Sequence, residues 1–225
     1  MDQALVSLLA ASIAFVGTHF ALSHPLRAPL VGAIGATGFM LLYSAVAAAS
    51  MAWMYFAFVD APAADLGGSG QIGWALATVM TLPALVLFLG SLKGNPALPA
   101  PGAQELTAQE PAGVFAVTRH PMMWGFALWA LSHIILFWSW RTMIVAGAIL
   151  ILALVGARLQ DRKKEVLMGA AWSQWEAKTS YWPHWSRLPG AGILQWSIAT
   201  AAWLGITFWH LGAAGIPAGI WRWVG

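Results

Sequence analysis

Cysteine is absent from this 225-residue chain, which excludes disulfides, thiolate metal ligands, cysteine nucleophiles and iron–sulfur clusters together. Charge is nearly as scarce. Only 8% of residues are Asp, Glu, Lys or Arg against 60% hydrophobic, and the mean hydropathy is +0.70. A soluble domain of this length cannot be built with so little polar surface, so the composition describes an integral membrane protein. The net charge of +3 is too small and too dispersed to suggest a nucleic-acid partner; the lipid bilayer is the expected one. The opening stretch, MDQALVSLLAASIAF, has an acidic start and no small-residue cleavage site, and reads as a retained first span.

A hydrocarbon core of about 30 Å takes roughly 20 helical residues. Cutting the chain where charge, proline and glycine interrupt apolar runs predicts six spans, at about residues 4–22, 31–58, 72–92, 121–138, 142–159 and 193–212. The fold class is therefore all-α: one polytopic transmembrane helix bundle over residues 1–225, with no internal repeat and no second domain. Short connectors fall around Arg27, around Asp60 and Asp65, and around Arg141. Two longer ones run over 93–120 and 160–192. With both termini outside, Arg27, Lys93, Arg119, Arg158, Arg162, Lys163, Lys164, Lys178 and Arg187 lie inside, against Arg141 and Arg222 outside. That asymmetry predicts a multi-pass protein of the cell inner membrane with periplasmic termini. Tryptophans gather at the expected span ends, Trp138, Trp140, Trp209, Trp221 and Trp223 outside and Trp172, Trp175, Trp182, Trp185 and Trp196 inside, as a headgroup-level belt requires.

Of the two long segments, the first contains Pro96, Pro99, Pro101 and Pro111 and reads as an irregular loop. The second, DRKKEVLMGAAWSQWEAK, opens on a basic cluster and sets Val166, Leu167, Ala170, Ala171, Trp172 and Trp175 near one helical face. It reads as an interfacial helix on anionic lipid, continuing the fifth span. Gly32, Gly35 and Gly38 of VGAIGATG lack the context of a dinucleotide fingerprint and are read as permitting close helix packing.

Titratable groups inside a bilayer are costly enough to mark function by default. His19 falls near the inner end of the first span, with His24 and Arg27 just beyond it; His133 lies deep in the fourth span and His210 near the outer end of the sixth. His184 falls among surface aromatics. A single intramembrane histidine is as often a packed, hydrogen-bonded ring as a ligand. Zinc would need three or four ligands, and no HxxxH or HxxE spacing supplies them. Haem needs one or two axial histidines, an apolar slot and cations for its propionates. His19 or His133 with Arg27 and Arg119 meets that list, and plain helix packing meets it equally well.

THFALSHPLR in the first span and TRHPMMWGFALWALSH in the fourth resemble the NnrU family, whose eukaryotic and cyanobacterial branch is the 15-cis-zeta-carotene isomerases. The similarity covers about residues 10–160, with an NnrU-like region reaching about 190 and an extra C-terminal span at 193–212. In the isomerase branch a histidine of the first motif and the histidine ending the second are haem ligands. The resemblance therefore implies haem b held by His19 and His133. Arg27 and Arg119, whose planar forks suit carboxylates, are the expected partners of its propionates, and Pro121, suited to a first helical position, makes His120 a helix-start residue and not a ligand. It implies either a haem-dependent cis–trans isomerase acting on a carotenoid-like polyene or isoprenoid, or a non-enzymatic membrane factor supporting production of nitrite and nitric oxide reductases in denitrification. Ala130 stands where the isomerase branch has a cysteine, which removes any thiolate ligand switch.

Arg119, His120, Pro121 and Gly125, followed by Glu165, Gly169 and Trp175, also resemble membrane methyltransferases of the isoprenylcysteine carboxyl methyltransferase type. That similarity implies S-adenosylmethionine as cofactor. Met123 replaces the motif's tyrosine and one downstream glutamate is missing.

Overall fold

The computed structural model describes residues 2–63, 68–99 and 102–224, and the expected connector at Asp65 lies outside them. The chain forms helices α1 (Gln3–Ser23), α2 (Arg27–Asp60), α3 (Gly70–Gly90), α4 (Ala103–Leu106), α5 (Val114–Val117), α6 (Pro121–Leu136), α7 (Trp140–Met168) and α8 (Ala170–Lys178). A 3-10 segment, Trp185–Ala191, leads into α9 (Ile193–Ala214), and α10 (Trp221–Val224) ends the chain. Among the described residues there is no strand, so the all-α expectation holds.

Each of the six expected apolar segments is helical. In a bilayer the backbone must satisfy its own polar groups, and a continuous helix does so. Helices α1, α2, α3 and α7 are long and apolar enough to cross a membrane; α9 joins them when taken with the 3-10 segment, from which it turns by 93°. Helix α6 is apolar but has 16 residues. At 1.5 Å per residue it reaches about 24 Å, short of a full hydrocarbon core.

Helix ends follow local chemistry. Asp2 caps α1 by accepting from the Ala4 amide at 2.7 Å, and Ser139 caps α7 by accepting from the Thr142 amide. His120 is the N-cap of α6 with Pro121 in the first turn, where the missing N–H costs nothing.

Packing runs α2, α1, α7, α6, α3, α9, each helix against the next. One apolar core joins Leu8, Ala11 and Phe15 of α1 to Met54 and Ala57 of α2 and Ile149 of α7. The other joins Val86 and Leu87 of α3, Trp124 and Ala127 of α6 and Ala153 and Ala157 of α7 to Trp172 and Trp175 of α8. Gly125 allows α6 its close approach to α3: a Cβ there would stand 2.8 Å from the Ala84 carbonyl oxygen.

Two expectations need correction. Gly35 does not serve close packing, since a Cβ there or at Gly32 would meet nothing within 4 Å; at φ +73° it kinks α2. The 160–178 stretch is helical, but Gly169, at φ 54° and ψ −126°, breaks it into the end of α7 and α8. After that turn Trp172 and Trp175 point into the protein, while Val166 is 85% exposed. The face expected to lie on lipid is split, its tryptophans covered by Phe115 and the α6–α7 core.

Candidate functional site: a buried ionic latch and two histidine cavities

Between α5 and α6 the chain turns extended at Thr118, and residues 117–119 pair with 180–184 through hydrogen bonds. The Arg119 amide donates to the Ser180 carbonyl at 2.9 Å, the His184 amide donates to the Val117 carbonyl at 2.8 Å, and the Thr118 hydroxyl reaches the Tyr181 carbonyl. This pairing aims Arg119 and His120 inward at Asp161 of α7. The Arg119 Nε and Nη2 donate to Asp161 at 3.0 and 2.8 Å, a bidentate fork, and Nη2 also meets Glu176 Oε1 at 3.0 Å. His120 Nε2 lies 2.7 Å from Asp161 Oδ1. A carboxylate oxygen can only accept, so Nε2 carries the proton, and the buried Nδ1 is left without a protein partner. Tyr181 donates its hydroxyl to the Leu154 carbonyl, and Arg158 stands 4.1 Å from its ring centroid. Burial raises the pKa of Tyr181. Burial likewise raises that of Glu176; the Arg119 charge lowers it in part, and the charges of Asp161 and Glu165 raise it again.

The three intramembrane histidines share one local arrangement. His19 Nδ1 lies 2.7 Å from the Phe15 carbonyl, His133 Nδ1 2.8 Å from that of Trp129, and His210 Nδ1 2.8 Å from that of Ile206. Each is a bond to the carbonyl four residues back, which only an N–H can make, so each Nε2 keeps its lone pair. That tautomer is the one a metal or a hydrogen-bond donor requires.

His19 lines a cavity of ≈ 330 Å³ among α1, α2, α6 and α7, walled by Phe15, Phe20, Met123, Phe126 and Leu152, with His24 and Lys163 also lining it. The Arg27 guanidinium lies within electrostatic reach of both Lys163 and Lys164. Burial lowers the pKa of His24, and the Lys163 charge lowers it further. Among the described residues no carboxylate lines this cavity. Lys164 is turned away, donating to the Pro96 carbonyl at 2.8 Å.

A second cavity, of ≈ 410 Å³, lies among α3, α6 and α9 and holds His133 and His210 with Trp74, Phe88, Trp129, Phe137 and Trp203. Phe126 and Ile149 line both cavities and form the wall between them. The structure therefore puts His133 in a different cavity from His19, and Arg27 lines neither, standing within electrostatic reach of the Lys163 that lines the first. His133 is seven residues, or about 10 Å, further along α6 than Phe126. Arg119 lines neither cavity and is held by Asp161 and Glu176. His120 is the helix-start residue expected, yet buried rather than interfacial. Among the described residues no three His, Asp or Glu side chains cluster as a metal site.

Asp161 was missed in sequence because it sits in a basic run; the available signal was its position in the same uninterrupted helix as an apolar span. The residues similar to the methyltransferase motif carry structure: Gly125 seats α6 on α3, Trp175 packs in the core, and Arg119 and His120 bind Asp161.

A helical bundle with long apolar helices and internal histidine cavities defines a membrane protein. The family model described as NnrU protein matches residues 7–218, nearly the whole chain, and the chain belongs to that family. The match runs through α9, beyond the 190 or so expected from the motifs. No curated protein and no solved structure matches it.

Proposed function

We propose that this NnrU-family membrane protein binds haem b in the first cavity, with His19 Nε2 as the single axial protein ligand. The observation that carries the reading is the pairing of a free imidazole lone pair, locked by the Phe15 carbonyl, with apolar walls and a cationic edge at Lys163, which Arg27 reinforces from within electrostatic reach. Haem has matching parts: an iron that takes imidazole, a flat apolar ring and two carboxylates. The cavity volume falls within the range of ligand pockets.

In this reading Phe15 orients His19, Phe20, Phe126 and Leu152 exclude water, and Lys163 and Arg27 neutralise the propionates. Arg119 takes no part, because releasing it would strand Asp161 in a buried site. Bound haem would supply the iron-centred chemistry for cis–trans isomerisation of a polyene, the activity that the zeta-carotene isomerase resemblance implies. The excess of Lys and Arg at this end supports a cytoplasmic-leaflet position for the cavity in this reading.

The test is the absorbance of full-length protein purified from haem-sufficient cells. Wild type is expected to show a Soret band that His19→Ala removes and that Lys163→Gln with Arg27→Gln weakens, while Arg119→Gln retains it. A wild-type protein without a Soret band would refute the cofactor, and tight S-adenosylmethionine binding would favour methyl transfer.

A further inference from the structure

The second cavity is not used by that reading, and its lining has a definite hydrogen-bond character. Its hydroxyl donors are spent on the backbone of their own helices: Thr78 on the Trp74 carbonyl, Thr81 on Ala77, Ser132 on Trp129 and Thr207 on Trp203. The Trp203 indole donates to Thr81 at 2.9 Å. Both imidazole N–H groups are spent as well, on the Trp129 and Ile206 carbonyls. What His133 and His210 retain are two Nε2 lone pairs on α6 and α9, which both line this cavity, within electrostatic reach of each other. Around them stand aromatic rings from three helices, Trp74, Phe88, Trp129, Phe137 and Trp203 among them.

A lone pair in an apolar cavity selects a ligand that donates a hydrogen bond, because an unmet buried acceptor is costly and an ether or hydrocarbon cannot meet it. Two such acceptors select two donors. Aromatic walls favour an aromatic head in offset or edge contact. Trp129, packed 4.3 Å from the His133 ring, is about two-fifths exposed, so on its side the cavity reaches the lipid-facing surface, where an alkyl tail belongs. We infer that the cavity between α3, α6 and α9 is a binding site for a membrane hydroquinone, its two hydroxyls donating to His133 Nε2 and His210 Nε2. The Trp74 and Trp129 indoles also line the cavity, and a hydroxyl, being acceptor as well as donor, suits them too. Binding involves no electron transfer and does not depend on haem in the first cavity.

The experiment uses the full chain in phosphatidylcholine nanodiscs and follows quenching of tryptophan fluorescence by three probes: decylhydroquinone, its dimethyl ether and decylbenzoquinone. The hydroquinone is expected to bind at least about tenfold more tightly than the ether, the cost of leaving one buried acceptor unmet. The quinone should follow the ether. His210→Phe and His133→Phe should each erase about half of the preference on a logarithmic scale, one acceptor each, and His19→Ala should preserve it whether or not it abolishes haem binding. Because the probe series is run on wild-type protein, it decides the matter even if a variant fails to fold. Equal affinity for hydroquinone and ether, or quinone binding as tightly as hydroquinone, would overturn the inference. So would loss of a haem band on His210→Phe in folded protein, which would give the cavity to a tetrapyrrole iron.

Discussion

Asp161→Ala removes the carboxylate that holds the start of α6 to the end of α7. The side chains of Asp161, Arg119 and His120 are 7%, 10% and 0% accessible, so the charges are well out of water. Breaking a buried pair by deleting one partner costs about 3–5 kcal/mol, because the survivor is left uncompensated. Glu176 still holds Arg119 at 3.0 Å, which puts the expectation near the lower end, while His120 loses the only partner of its Nε2. For a chain of this length about 3 kcal/mol corresponds to a fall in Tm of roughly 6–12 °C. Glu176→Gln breaks only the more exposed arm and should cost about 1 kcal/mol or less. Thermal unfolding in one detergent, read by near-UV circular dichroism, compares the two. Should Asp161→Ala lower Tm by no more than Glu176→Gln, the latch contributes nothing and its description as a buried network is wrong.

Gly125→Ala should lower Tm by several degrees, since overpacking against the Ala84 carbonyl and Phe88 costs about 1–3 kcal/mol; Gly17→Ala, with nothing within 4 Å of the new Cβ, should not. Gly169→Ala forces a side chain into a backbone region that favours glycine and should cost about 1–3 kcal/mol, loosening α8; protease sensitivity after Met168 would report it. Trp172→Ala empties a fully buried site and should cost about 3–5 kcal/mol, where a lipid-facing tryptophan would cost far less. The raised pKa of Glu176 means that the folded state holds its proton more tightly than the unfolded one. Its contribution is present in full below the unfolded pKa and lost as pH rises through the folded one, so the Tm of wild type relative to Glu176→Gln should fall as pH rises through the acidic range.

The helices were legible because apolar runs of span length have one solution in a bilayer: α3 and α9 fall within two residues of their expected bounds. Helix α7 runs nine residues past the expected end of the fifth span, as the helical continuation through the basic cluster anticipated, because such a cluster marks the membrane surface without stopping a helix. Gly169 does stop it. The N-cap role of His120 followed from Pro121 alone. What sequence could not give was pairing across distance. Asp161 stands 42 positions from Arg119, and a run of lysines beside it hid a buried carboxylate. Depth along a helix was readable for His19 and His133, but which neighbour each faces depends on the packing order α1, α7, α6, α3. Phe126 and Ile149 stand between their cavities.

The central claim is one imidazole, that of His19, on a haem in the first cavity. Electron paramagnetic resonance of the ferric wild-type protein tests it most directly, beside His19→Ala and His133→Ala. The account predicts a high-spin signal of a single-histidine haem, unchanged by His133→Ala and lost in His19→Ala. A low-spin bis-imidazole signal in wild type, lost on substituting either histidine, would contradict it.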